Sequence, residues 1–169
     1  PIAHDYDDSP DQLDLNEELQ EFRKAIEQNQ HKLVGQNLKY DLPVLKNHGF
    51  KIDNFLADTM IMSYVFNSVG SRHGLDNLAK NYLDYETIKY DEITGTCKKK
   101  ISFSKVNIDL ATNYAAEDAD ITFRCYSHLK PALAKTPSLE KVLNKVKTRS
   151  FSRFIAPLKK RPSSWNIAT

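Results

Sequence analysis

The chain has 169 residues, of which 40% are hydrophobic and 27% charged, the size and make-up of one globular domain rather than of a fibrous or disordered segment. No apolar run approaches the roughly 18 residues of a membrane span, and the N-terminus has neither a basic nor an apolar leader region, so no membrane is expected and the location is read as cytoplasmic. The formal net charge of +2 hides a split: all 22 acidic residues lie in 1–140 beside 16 basic ones, while 141–169 hold eight basic residues and no acid, an acidic body that argues against broad duplex binding and for a small, metal-buffered site.

The opening Pro1-Ile2-Ala3 reads as the tail end of a strand. Asp14 with Glu17 fits a capping box, and Leu15, Leu19, Phe22 and Ile26 recur at helical spacing, which predicts an amphipathic helix over 15–29. The apolar run Lys32–Gly35 predicts a strand ending near Gln36, so that 37–41 forms a strand-to-helix junction. A short helix over 41–47 follows, with Pro43 in its first turn and His48-Gly49 at its stop. Asp58-Thr59 caps a largely buried helix ending near Asn67. Leu75, Leu78, Ala79 and Leu83 mark a helix over 74–83, and the Tyr/Lys/Thr-rich stretch from there to Lys100 is expected to be irregular and exposed. The longest helix is predicted over 109–133, with Pro131 kinking its end. Helices interleaved with short apolar strands indicate an α/β layered fold with too few strands for a complete sheet. Cys97 and Cys125 lack metal or disulfide spacing and read as reduced thiols.

Chemistry concentrates in Asn37–Asp41 and in Tyr114–Asp118. Tyr114 and Asp118 are four apart on one helix and so share a face, one turn apart. Asp41 and Asp118 converging on a cleft would suit a hard divalent cation that keeps water for substrate phosphate, with the phenol orienting a water. On spacing alone the plainer readings stay open: Asp41 as a helix cap, and Asp118 as one of the solvated acids beside Glu117 and Asp120.

The segments 34–41, 58–60, 71–78, 87–93 and 114–120, in that order and spacing, resemble the proofreading 3′→5′ exonuclease domain of the bacterial DNA polymerase I family (family A, DEDDy nuclease group). The resemblance covers about residues 1–135. It implies a ribonuclease-H-like exonuclease fold, here incomplete at its N-terminal edge. It also implies hydrolysis of 3′-terminal nucleotides of DNA with two divalent metal ions, Mg²⁺ or Mn²⁺, held by four carboxylates. Asp41 and Asp118 match two of the four and Tyr114 the water-positioning phenol. The D-x-E strand that supplies the other two is expected before Pro1, which makes this chain inactive alone. Asp5-Tyr6-Asp7 is a poor substitute, since residues 1–6 resemble a later strand of the family and its outgoing loop. Gln36, Asn37 and Tyr40 fall where the family contacts the 3′-terminal nucleotide, Arg72 and His73 where it meets phosphates, and Tyr90 where an aromatic packs on an unpaired base. The structural alternatives are a partly exposed surface aromatic for Tyr90 and a loop residue bonded to backbone for His73.

The implied partners are the single-stranded 3′ end of DNA and a polymerase domain in the parent protein. An RNA-trimming exonuclease of the same group and a noncatalytic single-strand-binding or scaffolding module are the alternatives. Residues 1–139 are read as a partial exonuclease domain. Residues 140–169 are read as a basic tail, divergent or unstructured, whose eight positive charges would bind any polyanion.

Overall fold

The computed structural model describes residues 2–28, 32–50, 55–69 and 72–155. Helix α1 (Leu15–Gln28) starts where Asp14 Oδ1 accepts the backbone N–H groups of Asn16 and Glu17 at 2.9 and 3.0 Å, the predicted cap. Strand β1 (Leu33–Gly35) leads through a turn into α2 (Asp41–Asn47), as the junction at 37–41 predicts. Strand β2 (Phe55–Asp58) then pairs in parallel with β1, Val34 opposite Ala57 and Gly35 opposite Asp58. This second strand is not predicted from the sequence, because four residues beside a strong helix cap carry too little alternation to mark a strand.

Helix α3 (Thr59–Phe66) begins at its predicted cap, Asp58. Helix α4 (Leu75–Leu78) passes directly into a π-helical turn over Ala79–Leu83, so the helix expected over 74–83 exists but widens halfway. The stretch up to Lys100 departs from the expected irregular, exposed course. It holds α5 (Tyr90–Thr94) and a 3₁₀ turn over Cys97–Lys99, and Thr87 and Thr94 are buried. After a second 3₁₀ turn, Phe103–Lys105, the long α6 (Ile108–Ala134) runs through Pro131.

A last helix, α7 (Pro137–Ile155), covers the start of the segment expected to have no fold. Leu143 explains the difference. It is buried in one core cluster with Ala57, Met62, Tyr126, Leu129 and Leu133, against which Leu139 also packs. Each large apolar side chain so buried contributes on the order of 2 kcal/mol, enough to hold a marginal helix in place. The rest of the tail, 156–169, lies outside the described residues, as does Pro1. Residues 2–6 form no strand; they lie along the start of α6, where the Ile108 N–H donates to Tyr6 Oη at 3.2 Å and Lys105 pairs with Asp5 at 2.7 Å.

The architecture is thus α/β, a small parallel sheet with helices, consistent with the ribonuclease-H-like exonuclease type. Helix α6 is its spine: α3, α7, β1 and α4 all pack on it. No helix among the described residues is long and apolar enough to cross a membrane.

Candidate active site

The end of β1 and the face of α6 carry the two candidate segments. Asn37 turns the chain in a left-handed conformation, φ 60°, which an asparagine tolerates better than most side chains. What holds the turn is Asp58, only 4% exposed. Its Oδ1 accepts the N–H of Asn37 at 3.0 Å and of Met60 at 2.9 Å, and its Oδ2 accepts the N–H of Leu38 at 2.9 Å. One carboxylate therefore caps α3 and ties down the loop that delivers Asp41. Gly35 permits the close fold-back, because a Cβ there would lie 2.2 Å from a Leu38 methyl carbon.

Asp41 enters in the first turn of α2, whose N-cap is Tyr40, so it does not cap that helix. Partial burial pushes its carboxyl above the usual range, and the negative charge of Asp58 adds to this, against a backbone hydrogen bond that lowers it. On α6, the Tyr114 phenol is hydrogen-bonded to Asp118. Partial burial is the main cause that moves this phenol up to about 12; the charge of Asp118 and its hydrogen bond come next. Asp118 is likewise pushed up, first by burial and then by the charges of Asp76 and Glu117, while the phenol's hydrogen bond pulls the other way. Tyr114 stays a neutral donor across the physiological range.

The acids beside Asp118 sort themselves by partner. Glu117 is not a solvated acid: its two oxygens accept the Tyr85 hydroxyl and the Ile88 N–H, both at 2.7 Å, fastening 85–88 to α6. This hydrogen bond is the first cause of a raised Tyr85 phenol. Asp120 is on the wet face, 3.5 Å from Arg124. Asp76 accepts the Thr87 hydroxyl at 3.1 Å.

Tyr114 also closes a triangle of rings with Tyr90 and Phe103, with centroid separations of 6.0, 6.1 and 6.2 Å. Tyr90 sits at the start of α5, 40% exposed, so it is both a surface aromatic and a neighbour of Tyr114. Phe103 lies in a stretch with no periodic signal, and the sequence offers no sign of its place.

Gln36 bridges the strand end to the loop before α4: its side-chain N–H₂ donates to the His73 carbonyl at 2.8 Å, and its carbonyl oxygen lies against the Thr59 hydroxyl. His73 is bonded through Nδ1 to the buried Ser63 hydroxyl at 2.9 Å rather than to backbone, and Ser63 in turn meets the Tyr82 hydroxyl at 3.1 Å. Arg72 and Tyr40 are exposed. The charge that bears on Asp41 is Asp58, whereas those that bear on Asp118 are Asp76 and Glu117. Among the described residues no group of three or more His, Cys, Asp or Glu side chains is arranged to hold a metal ion. The donors nevertheless suit a hard divalent cation: Asp41, exposed, and Asp118, half-buried, offer carboxylate oxygens and are in no ion pair with a described cation. The only D-x-E sequence, Asp84-Tyr85-Glu86, follows the π-turn through a left-handed Asp84 with φ 51° and lies on no strand.

The family model described as 3′-5′ exonuclease, of the DNA polymerase A type, matches residues 3–134. Over 148 residues, 86% of the chain, it is 39% identical to DNA polymerase I of Pseudomonas aeruginosa; over 123 residues, 73% of the chain, it is 40% identical to DNA polymerase I of Rhizobium leguminosarum. A DNA polymerase of Escherichia phage T5 is 30% identical over 133 residues, 70% of the chain. The matched regions span 16%, 12% and 16% of those three relatives.

Proposed function

The chain belongs to the DNA polymerase A type of 3′-5′ exonuclease domain, and from that premise we propose that residues 1–139 are part of the unit that removes 3′-terminal nucleotides from single-stranded DNA ends beside a polymerase domain in the cytoplasm. The observation that supports this best is the Tyr114–Asp118 pair, half-buried on α6, hydrogen-bonded, and boxed by two further rings.

Asp41 and Asp118 would hold divalent metal ions, Mg²⁺ or Mn²⁺, two in number by family resemblance. Such ions, when bound, supply Lewis-acid stabilisation of charge on phosphorus and on the leaving oxygen. The chain's own residues do the positioning. Tyr114 holds its proton at Oη against Asp118, which leaves its oxygen lone pairs to accept a hydrogen bond from a water and aim it. That water oxygen attacks phosphorus, the bond from phosphorus to the 3′ oxygen breaks, and the water's proton passes to the departing oxygen through solvent. A nucleoside 5′-monophosphate and a shortened strand result.

Around this centre, Tyr90 offers a ring to the terminal base, and Gln36, Asn37 and Tyr40 line the loop that carries Asp41. Arg72, exposed, would meet a phosphate, and His73, anchored at Nδ1, would offer its other nitrogen to the same task. Stacking and phosphate contacts of this kind ignore base sequence, as a proofreader requires.

With Asp41 and Asp118 as two of four carboxylates, this chain alone should release nothing, while the chain extended upstream with a D-x-E strand should trim. The test is a 5′-labelled single strand incubated with each protein in Mg²⁺ or Mn²⁺. Stepwise shortening from the 3′ end by the extended protein, lost in Asp118→Ala, is the expected result. An inert extended protein, or an Asp118→Ala protein with full rate, overturns the assignment.

A further inference from the structure

Residues 89–105 are a basic island in an acidic body: five lysines stand there against Asp91 and Glu92, although 1–140 as a whole hold 16 basic residues against 22 acidic ones. The backbone gives the island a defined shape. The Ile101 N–H donates to the Thr94 carbonyl at 2.8 Å and the Lys100 N–H to the Cys97 carbonyl at 3.2 Å, closing a strap whose base, Thr94, is buried. Gly95 and Cys97 turn it in left-handed conformations, φ 78° and 53°. At Gly95 a Cβ would lie 2.9 Å from the Lys99 carbonyl oxygen, so the turn has no room for another residue.

The lysines divide by what they face. Lys105 pairs with Asp5, and Lys100 pairs with Asp91 at 3.0 Å while lying 5.2 Å from the centre of the Tyr90 ring. Lys98 and Lys99 are exposed at the tip and form no ion pair with any described residue. Through Lys100 and Tyr90 this tip is joined to the Tyr114 ring, 6.0 Å beyond Tyr90.

We propose that the Lys98–Lys99 tip grips the phosphate backbone of the single strand whose 3′ end lies at Tyr114. The inference rests on the nuclease reading above and gives it a means of capture. A polyanion approaching an acidic body is repelled except where a local positive patch draws it in, and here that patch adjoins the stacking rings. Lysines facing phosphates release counterions, and rings beside them take bases, the pairing that binds single strands without regard to sequence.

The experiment is fluorescence anisotropy of a labelled oligothymidylate, titrated with protein in EDTA over a range of salt concentrations so that nothing is cleaved. Neutralising both lysines, Lys98→Gln with Lys99→Gln, should lower the slope of log affinity against log salt by about 1.4, at ~0.7 per phosphate contact on a single strand. Lys24→Gln with Lys135→Gln, two exposed positions outside both the strap and the basic tail, should leave the slope unchanged. If the tip variant binds with the wild-type slope, the proposal fails while the nuclease reading stands. If the wild type does not bind at all, the proposal fails as well, and the cleavage assay on the extended protein judges the nuclease reading separately.

Discussion

The backbone N–H of Asn37 is 3.0 Å from Oδ1 of Asp58, twenty-one residues later in the chain. By that bond the residue that starts α3 also sets the loop that presents Asp41. Asp58→Ala would remove a helix cap and leave buried N–H groups without acceptors, a loss of about 2–4 kcal/mol in urea unfolding. Asp58→Asn keeps one acceptor oxygen and should cost clearly less. Equal and small losses for both would mean the carboxylate is not what holds the loop.

Asp118 and Asp41 are raised above the unfolded carboxylate value. A raised carboxyl gives its full stability below the unfolded pKa of 3.8 and loses it as pH rises through the folded value. At neutral pH both charges therefore work against the fold when no cation is bound. Asp118→Asn should raise the urea midpoint of the metal-free protein at pH 7, with the gain vanishing toward pH 3, while in the extended protein it should cut cleavage by orders of magnitude. A lower midpoint at pH 7 would show that the charge is compensated.

The Tyr114 phenol, pushed up to about 12 from 10, contributes stability that is present below pH 10 and lost as pH rises through the folded value. Tyr114→Phe keeps the ring against Tyr90 and Phe103 and removes the donor to Asp118. Its stability at pH 7 should change by less than about 1.5 kcal/mol, while the rate of the extended protein should fall less than with Asp118→Ala. Ultraviolet titration should show one late-ionising phenol missing from the variant; an unchanged titration curve would contradict the assignment.

Leu143 is 6% exposed and shares a cluster with Leu129 and Leu133. Leu143→Ala should destabilise the chain by about 2–4 kcal/mol, and removal of 140–169 should do at least as much. If truncation after Leu139 leaves the urea midpoint unchanged, α7 is an appendage and the packing is not a stabilising one.

The sequence by itself determined what depends on neighbours within a turn or two of helix. The caps at Asp14 and Asp58, the helix at 41–47, and the shared face of Tyr114 and Asp118 all follow from hydrogen-bond reach and helical period, and they are where the sequence places them. The family, too, was legible from five short segments in order. What the tertiary structure decided involves partners far apart in the chain. Glu117 looks like a solvated acid until Tyr85 and the Ile88 N–H are brought to it. Phe103 has no periodic neighbour, yet it meets Tyr90 and Tyr114. β2 is too short to show its own alternation and exists because β1 pairs with it. α7, with a basic sequence that suggested no fold, is held because Leu143 finds a core made by β2, α3 and α6. A residue's own type and spacing state what it can do within one turn; burial and long-range pairing, which set charge and orientation, belong to the assembled chain.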